Sequence, residues 1–332
     1  MQTPDPGPSI AELPELVLRA NLSEPPAEWE LVAAIPFGRA ESSLGFANDQ
    51  QTMSLPEMPR AMVVDEDGSL WFLDIVKERV AHFTETGDFI EAIEGLHFDR
   101  EHPIPKDIAI VDGTLYAIMA RRLQTTVAAF DGERWIARIV TDRGEPSVVY
   151  NLLSSDAGLI GWASGLADLD RLGEGYFGYA SLDPLVSGEI SRIAGVPLSD
   201  GLMIDLRGPE QDRMELVYTT EEATVIQPVR IEVAFTPGSD PIPAVAGGII
   251  EAPLDRAVGI HVHLAASDAE AGEDAGGEWY LQTGPDGEPV IFERIPESPL
   301  ANEHQVRQIA AGPGDSVYLM VPQPGELKVF RR

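Results

Sequence analysis

The chain has 332 residues, 55 acidic against 23 basic side chains for a formal net charge of −32, and a hydrophobic content of 44%. That content excludes a disordered chain, the charge excludes nucleic acid and anionic membranes as partners, and no apolar run approaches the roughly 20 residues of a membrane span. Cysteine is absent, which removes disulfides, thiolate zinc sites and cysteine nucleophiles.

Residues 1–27 carry Pro4, Pro6, Pro8, Pro14, Pro25 and Pro26. A segment this rich in proline is expected to run as a stiff, extended tether outside the core. Two readings of it stay open: a disordered end, or the start of a mature exported protein, periplasmic or cell-surface, whose signal or lipid anchor has been removed. Residues 28–332 are expected to form one domain. It opens on a strand-like run, WELVAAI (29–35).

Beyond that run, apolar residues do not recur at helical spacing. Short runs rich in Val, Ile, Phe and Tyr alternate with Gly, Pro and Asp, which predicts many short strands. Asp67-Gly68, Asp112-Gly113, Asp131-Gly132 and Asp286-Gly287 are tight-hairpin signals, because the central positions of such turns favour positive φ. The first group of strands is predicted at 61–64, 70–74, 79–83 and 89–93. The second is predicted at 107–111, 115–119, 126–130 and 135–139. A repeat of four short strands at this length marks a β-propeller blade.

Residues 146–300 hold further strand-like runs, among them SVVYNLL, RMELVY, VRIEVAF, GIHVHLAA and PVIFERI. They supply blades three to five without marking every edge. DAEAGEDAGG (268–277) is expected to be an acidic loop between strands. PRAMVVDEDGSLWFLDIVKERVAHF (59–83) and VRQIAAGPGDSVYLMVPQPGELKVF (306–330) then overlay with no gap, Arg60 falling on Arg307, Trp71 on Tyr318 and Phe83 on Phe330. The last copy has strands at 308–311, 317–321 and 327–330 but no fourth. Residues 29–35 are expected to supply it and close the ring, since an open sheet edge aggregates. At about 40 to 50 residues per repeat, the span from Arg60 to Arg307 holds five repeats. The fold expected is therefore an all-β, six-bladed propeller of four-stranded antiparallel blades.

The unit P-x-x-hydrophobic-hydrophobic-V-D-x-D-G-S-L-W-F-L-D-x-x-x-x-R-V-x-x-F-x-x-x-G-x-F resembles an NHL-type repeat, with Asp65, Gly68, Asp74, Arg79, Val80, Phe83 and Gly87 at the matching places. The whole chain is similar to bacterial six-bladed propellers of that kind, many of them exported. The resemblance implies a fold; such propellers include binding scaffolds, lyases and lactonases.

In a propeller, the innermost strand of each blade lines the central channel. The residues heading those strands are Arg60, Lys106 and Arg307, with Arg256 of DRAVGI as a fourth. Cations around one mouth of the channel would attract a small anionic ligand or an acidic protein segment. The plainer alternative is that each cation pairs with a neighbouring blade's carboxylate. His261 and His263, two apart on a strand, share a face and could bind zinc with His304 or His102 as third ligand. Trp71, Tyr116 and Tyr318 recur at one repeat position and are expected to pack between blades. Asp65 and Asp67 have calcium-like spacing but lack the closing glutamate of a calcium loop. GEGYFG (173–178) opens no helix and is no nucleotide loop.

No catalytic residues and no cofactor are assigned. The expected function is non-enzymatic binding of a protein or small anionic ligand at the channel face. Two alternatives stand beside it: a zinc- or calcium-dependent lyase or lactonase-like hydrolase, and a structural subunit of a surface assembly.

Overall fold

The computed structural model describes residues 9–47, 56–96, 104–121, 124–140, 148–155, 158–164, 177–182, 191–193, 195–210, 213–235, 241–268, 273–284, 289–300 and 307–332. These are all-β apart from two single 3-10 turns, Ser199–Gly201 and Pro313–Asp315. The chain divides into two compact units, Trp29–Ile193 with Ser298–Arg332, and Met1–Glu28 with Ala194–Glu297.

In chain order, β1 (Ser9–Glu12), β2 (Leu16–Asn21) and β3 (Glu30–Pro36) precede a first sheet of β4 (Met62–Val64), β5 (Leu70–Asp74), β6 (Arg79–Phe83) and β7 (Phe89–Ile93). A second sheet holds β8 (Ile104–Val111), β9 (Thr114–Arg121), β10 (Gln124–Phe130) and β11 (Trp135–Val140). A third holds β12 (Val148–Ser155), β13 (Gly158–Ser164), β14 (Phe177–Ser181) and β15 (Ser191–Ile193). The fourth is larger, with β16 (Val196–Pro197), β17 (Met203–Glu210), β18 (Arg213–Thr219), β19 (Ala223–Ala234) and β20 (Ile242–Pro243). The fifth holds β21 (Val245–Pro253), β22 (Val258–Asp268), β23 (Glu273–Thr283) and β24 (Pro289–Arg294), and the last β25 (Ile309–Ala311), β26 (Val317–Gln323) and β27 (Glu326–Arg331).

The first unit is a propeller arrangement of four four-stranded antiparallel sheets. Its inner strands β25, β4, β8 and β12 follow one another side by side, and the sheets pack face to face. Tyr318, Met320, Phe72 and Phe83 fill the core between the last sheet and the first. Leu73, Val80, Ile108 and Leu115 fill the next, with Trp71 against it. Tyr116, Ile118, Val127 and Leu152 fill the third. Trp71, Tyr116 and Tyr318 thus each serve an inter-sheet core, as their shared repeat position predicts. β3 lies antiparallel on β27, pairing Ile35 with Leu327 and Ala33 with Val329. Ile35 and Leu327 are fully buried, so the alternation of WELVAAI turns its apolar face inward.

The predicted hairpins form where Asp-Gly permits the turn. Asp112 and Gly113 both take positive φ, at 49° and 70°, whereas at Asp67-Gly68 and Asp131-Gly132 only the glycine does. Asp286-Gly287 lies outside the described residues. The Asp74 and Arg79 of the repeat pattern form a buried ion pair at 3.2 Å. Asp74 also accepts the Gly45 amide, while Arg79 donates to the Ser43 and Glu41 carbonyls. Together they pin the segment that follows β3 to the first sheet.

In the second unit, part of the expected tether is strand. β1 and β2 run parallel to β19, Ser9–Glu12 against residues 223–226 and Leu16–Asn21 against 229–234. LVLRAN alternates, burying Leu18 and Ala20 while Val17 and Arg19 face out. That period-2 pattern pays for ordering a segment that proline content alone would leave extended. Pro14 breaks the strand in two, and its carbonyl accepts from the Gln227 amide at 2.6 Å. The acidic stretch 268–277 is likewise not all loop. β22 and β23 extend into it as an antiparallel pair, Leu264 pairing Gly277 and Asp268 pairing Glu273.

Candidate functional site

The free edge of an inner strand exposes backbone carbonyls that no neighbouring strand satisfies. In the first unit, two arginines reach them. Arg307, just before β25, donates its two terminal nitrogens to the carbonyls of Leu152 in β12 and Ile108 in β8. The same guanidinium stands 3.2 Å from Asp107 Oδ1. Asp107 in turn accepts the amides of Ile108 at 2.8 Å and Leu152 at 2.7 Å, tying the second sheet to the third. Arg307 is 4% exposed and Asp107 fully buried.

Arg60 lies beside it: the Arg307 amide donates to the Arg60 carbonyl at 3.3 Å. Arg60 is 8% exposed and donates to the Pro105 carbonyl at 3.3 Å. Burial lowers its basicity, and Glu57 offsets part of that effect. Lys106 sits on a β-bulge, since the pairing of β8 with β9 slips between Pro105 and Asp107. A bulge re-aims the extra residue's side chain. The Lys106 amine is also held below its usual basicity, first by burial and then by Arg60. Among the described residues neither Arg60 nor Lys106 has a carboxylate within ion-pair distance. The Nε atoms of Arg60 and Arg307 are buried without a hydrogen-bond partner.

Arg60, Lys106 and Arg307 are therefore brought together, but as a sunken cluster rather than an open mouth, because the guanidiniums turn inward to the edge carbonyls. Arg256 belongs to the other unit, where it is exposed and stands 3.8 Å from Asp200. Asp107 is the residue that sequence reasoning missed. It sits next to Lys106 at a strand start, and nothing local distinguishes it from a surface acid.

His261 and His263 do share a face of β22, and one carboxylate takes both: Glu278 lies 2.7 Å from His261 Nε2 and 3.0 Å from His263 Nδ1. Glu251, at a bulge in β21, stands 3.7 Å from His261 Nδ1. Burial disfavours the imidazolium, but hydrogen bonding and attraction from Glu251 and Glu278 outweigh it, and the His261 pKa is pushed up to about 10. In this ion-pair network the carboxylates favour the imidazolium form of His261. His304 and His102 lie outside the described residues. Among those described, no group of three or more His, Cys, Asp or Glu is placed to hold a metal.

Sheet order and inner-strand packing define the first unit as a β-propeller. A family model described as a domain of unknown function (DUF7485) matches residues 27–134. No curated protein matches the chain. Among solved structures it is similar to Kuenenia stuttgartiensis hydrazine synthase, at 12% identity and TM-score 0.46 over 83% of this chain and 80% of that one. It is similar to the calcium-binding protein regucalcin of Agrobacterium tumefaciens, at 10% identity and TM-score 0.45 over 95% of each chain. Virginiamycin B lyase from Staphylococcus aureus is 12% identical, with TM-score 0.40 over 87% of this chain and 99% of that one. Among the described residues, no helix is long and apolar enough to cross a membrane.

Proposed function

We propose that the protein is an exported, non-enzymatic propeller that binds a small anionic ligand at the inner-strand cluster of Arg60 and Lys106. The carrying observation is charge. Two cations whose basicity burial lowers stand beside a third, Arg307, whose own carboxylate is already committed. Buried charge without a partner is costly; the described residues offer Arg60 and Lys106 no ion-paired carboxylate, and a small anion would supply the countercharge. The Lys106 bulge supports the reading, because bulges recur where a strand must re-aim a side chain toward a ligand. In this proposal the six sheets are NHL-type blades of one ring, with β3 completing the last.

Calorimetry with inorganic phosphate, acetate and citrate tests the site. Saturable binding of at least one anion by the native protein is expected. Arg60→Gln with Lys106→Gln should abolish it while circular dichroism shows the β-fold retained, with Arg307 left intact because it is structural. Binding that survives the double change refutes the site. Stoichiometric zinc or calcium on the purified protein would instead favour the metal-dependent lyase or hydrolase reading.

A further inference from the structure

A second cleft lies between the first and second sheets, with a volume of about 520 Å³. That is within the range of sites for small organic molecules, roughly 300 to 1,000 Å³. Two aromatic rings line it, Trp71 and Phe130, and three carboxylates, Asp65, Glu91 and Asp131. No lysine or arginine is among the lining residues. Asp131 has the Arg134 guanidinium at 3.9 Å, while Asp65 and Glu91 have no lysine or arginine within ion-pair distance among the described residues; apolar walls with such a rim suit a ligand with an apolar body and a positive head. Aromatic faces attract cations through the ring quadrupole.

The carboxylates are available in different degrees. Asp131 accepts the amides of Arg134 and Glu133, which hold its carboxyl below the usual range and keep it ionised. Glu91 is the freest, 58% exposed, with His82 Nδ1 at 3.5 Å. The aromatic wall is braced from behind. His82 stacks on Trp71 with centroids 3.7 Å apart and planes 11° from parallel. Trp71 Nε1 and both His82 ring nitrogens are buried and have no hydrogen-bond partner among the described residues. The stacked imidazole holds the indole in one orientation against the cleft.

We infer that this cleft is a binding site for a small organic ammonium ion, with the aromatic wall of Trp71 and Phe130 taking the apolar body and Glu91 facing the charge. The site is independent of the proposed anion cluster.

The probes are phenethylamine, its neutral analogue 2-phenylethanol and its acidic analogue 3-phenylpropionate. They are titrated at neutral pH into the full chain by calorimetry, with tryptophan fluorescence alongside. The amine should bind saturably, the alcohol at least about tenfold more weakly, and the acid not at all. Glu91→Gln should weaken the amine several-fold and leave the alcohol unchanged, at an unchanged melting temperature because Glu91 is exposed. Phe130→Ala should weaken both. Arg60→Gln with Lys106→Gln should leave amine binding intact, which separates failure of one site from failure of the other. The inference is overturned if the amine shows no saturable binding up to about 10 mM, if the alcohol binds as tightly, or if Glu91→Gln has no effect.

Discussion

Asp107 shows how much one side chain can organise. It is fully buried, accepts two amides and faces the Arg307 guanidinium. Removing one member of a buried ion pair leaves the other charged and unpaired, at about 3 to 5 kcal/mol. Asp107→Asn should therefore lower unfolding stability by that order in urea denaturation, and Asp107→Leu with Arg307→Met should recover part of it. Equal losses in the single and double variants would contradict the pairing. The aromatic repeat positions were readable because the repeat itself displays them. Asp107 was not, since its partner is on the last copy and only the fold brings them together. His261 makes a second residue-scale prediction. Its folded pKa of about 10 lies above the unfolded value near 6.5. Its contribution is thus fully present below about pH 6.5 and disappears as pH rises through about 10. Burial raises the Glu278 carboxyl, but hydrogen bonding and attraction from His261 and His263 together outweigh it and lower it, so its contribution fades instead on acidification. The stability gap between native protein and His261→Gln should shrink between pH 6 and pH 10; a constant gap would refute the network.

At the scale of elements, strands with period-2 alternation and Asp-Gly turns were legible in the sequence to within one residue in the first sheet and three in the second. The second unit was less so, because β19, β22 and β23 are long strands of 12, 11 and 11 residues without a turn signal at repeat spacing. Composition also misled where pattern would have served. Proline content suggested a tether, while the alternation in LVLRAN marked a strand. Removing residues 1–24 should uncover the outer edge of β19 and expose the surface that Leu18 and Ala20 cover. Open edges invite pairing between chains. The truncated protein should melt earlier and run as larger species in size-exclusion chromatography. A monomer of unchanged melting temperature would show that β1 and β2 do not stabilise the sheet.

For the whole molecule, the net charge of −32 sets two opposing conditions. It keeps copies apart, and it strains each folded copy by self-repulsion. Raising sodium chloride from low ionic strength to about 0.5 M should raise the melting temperature, since screening shortens the reach of that repulsion. A fall in melting temperature would mean that surface ion pairs outweigh it. The same charge gives context to Arg60, Lys106 and Arg307, which are sheltered cations in a chain otherwise dominated by carboxylates. The pairing of β3 with β27 bears on how the chain is made. Glu30 bonds Arg331 across 301 positions of sequence, so the last sheet has its outer strand synthesised first and its centre synthesised last. Contacts of such long range are slow to form. During translation the β3 segment must wait, unpaired, for nearly the whole chain to emerge. A stalled or shortened nascent chain would carry that strand exposed, which makes it the part most in need of a chaperone and the most visible to a protease.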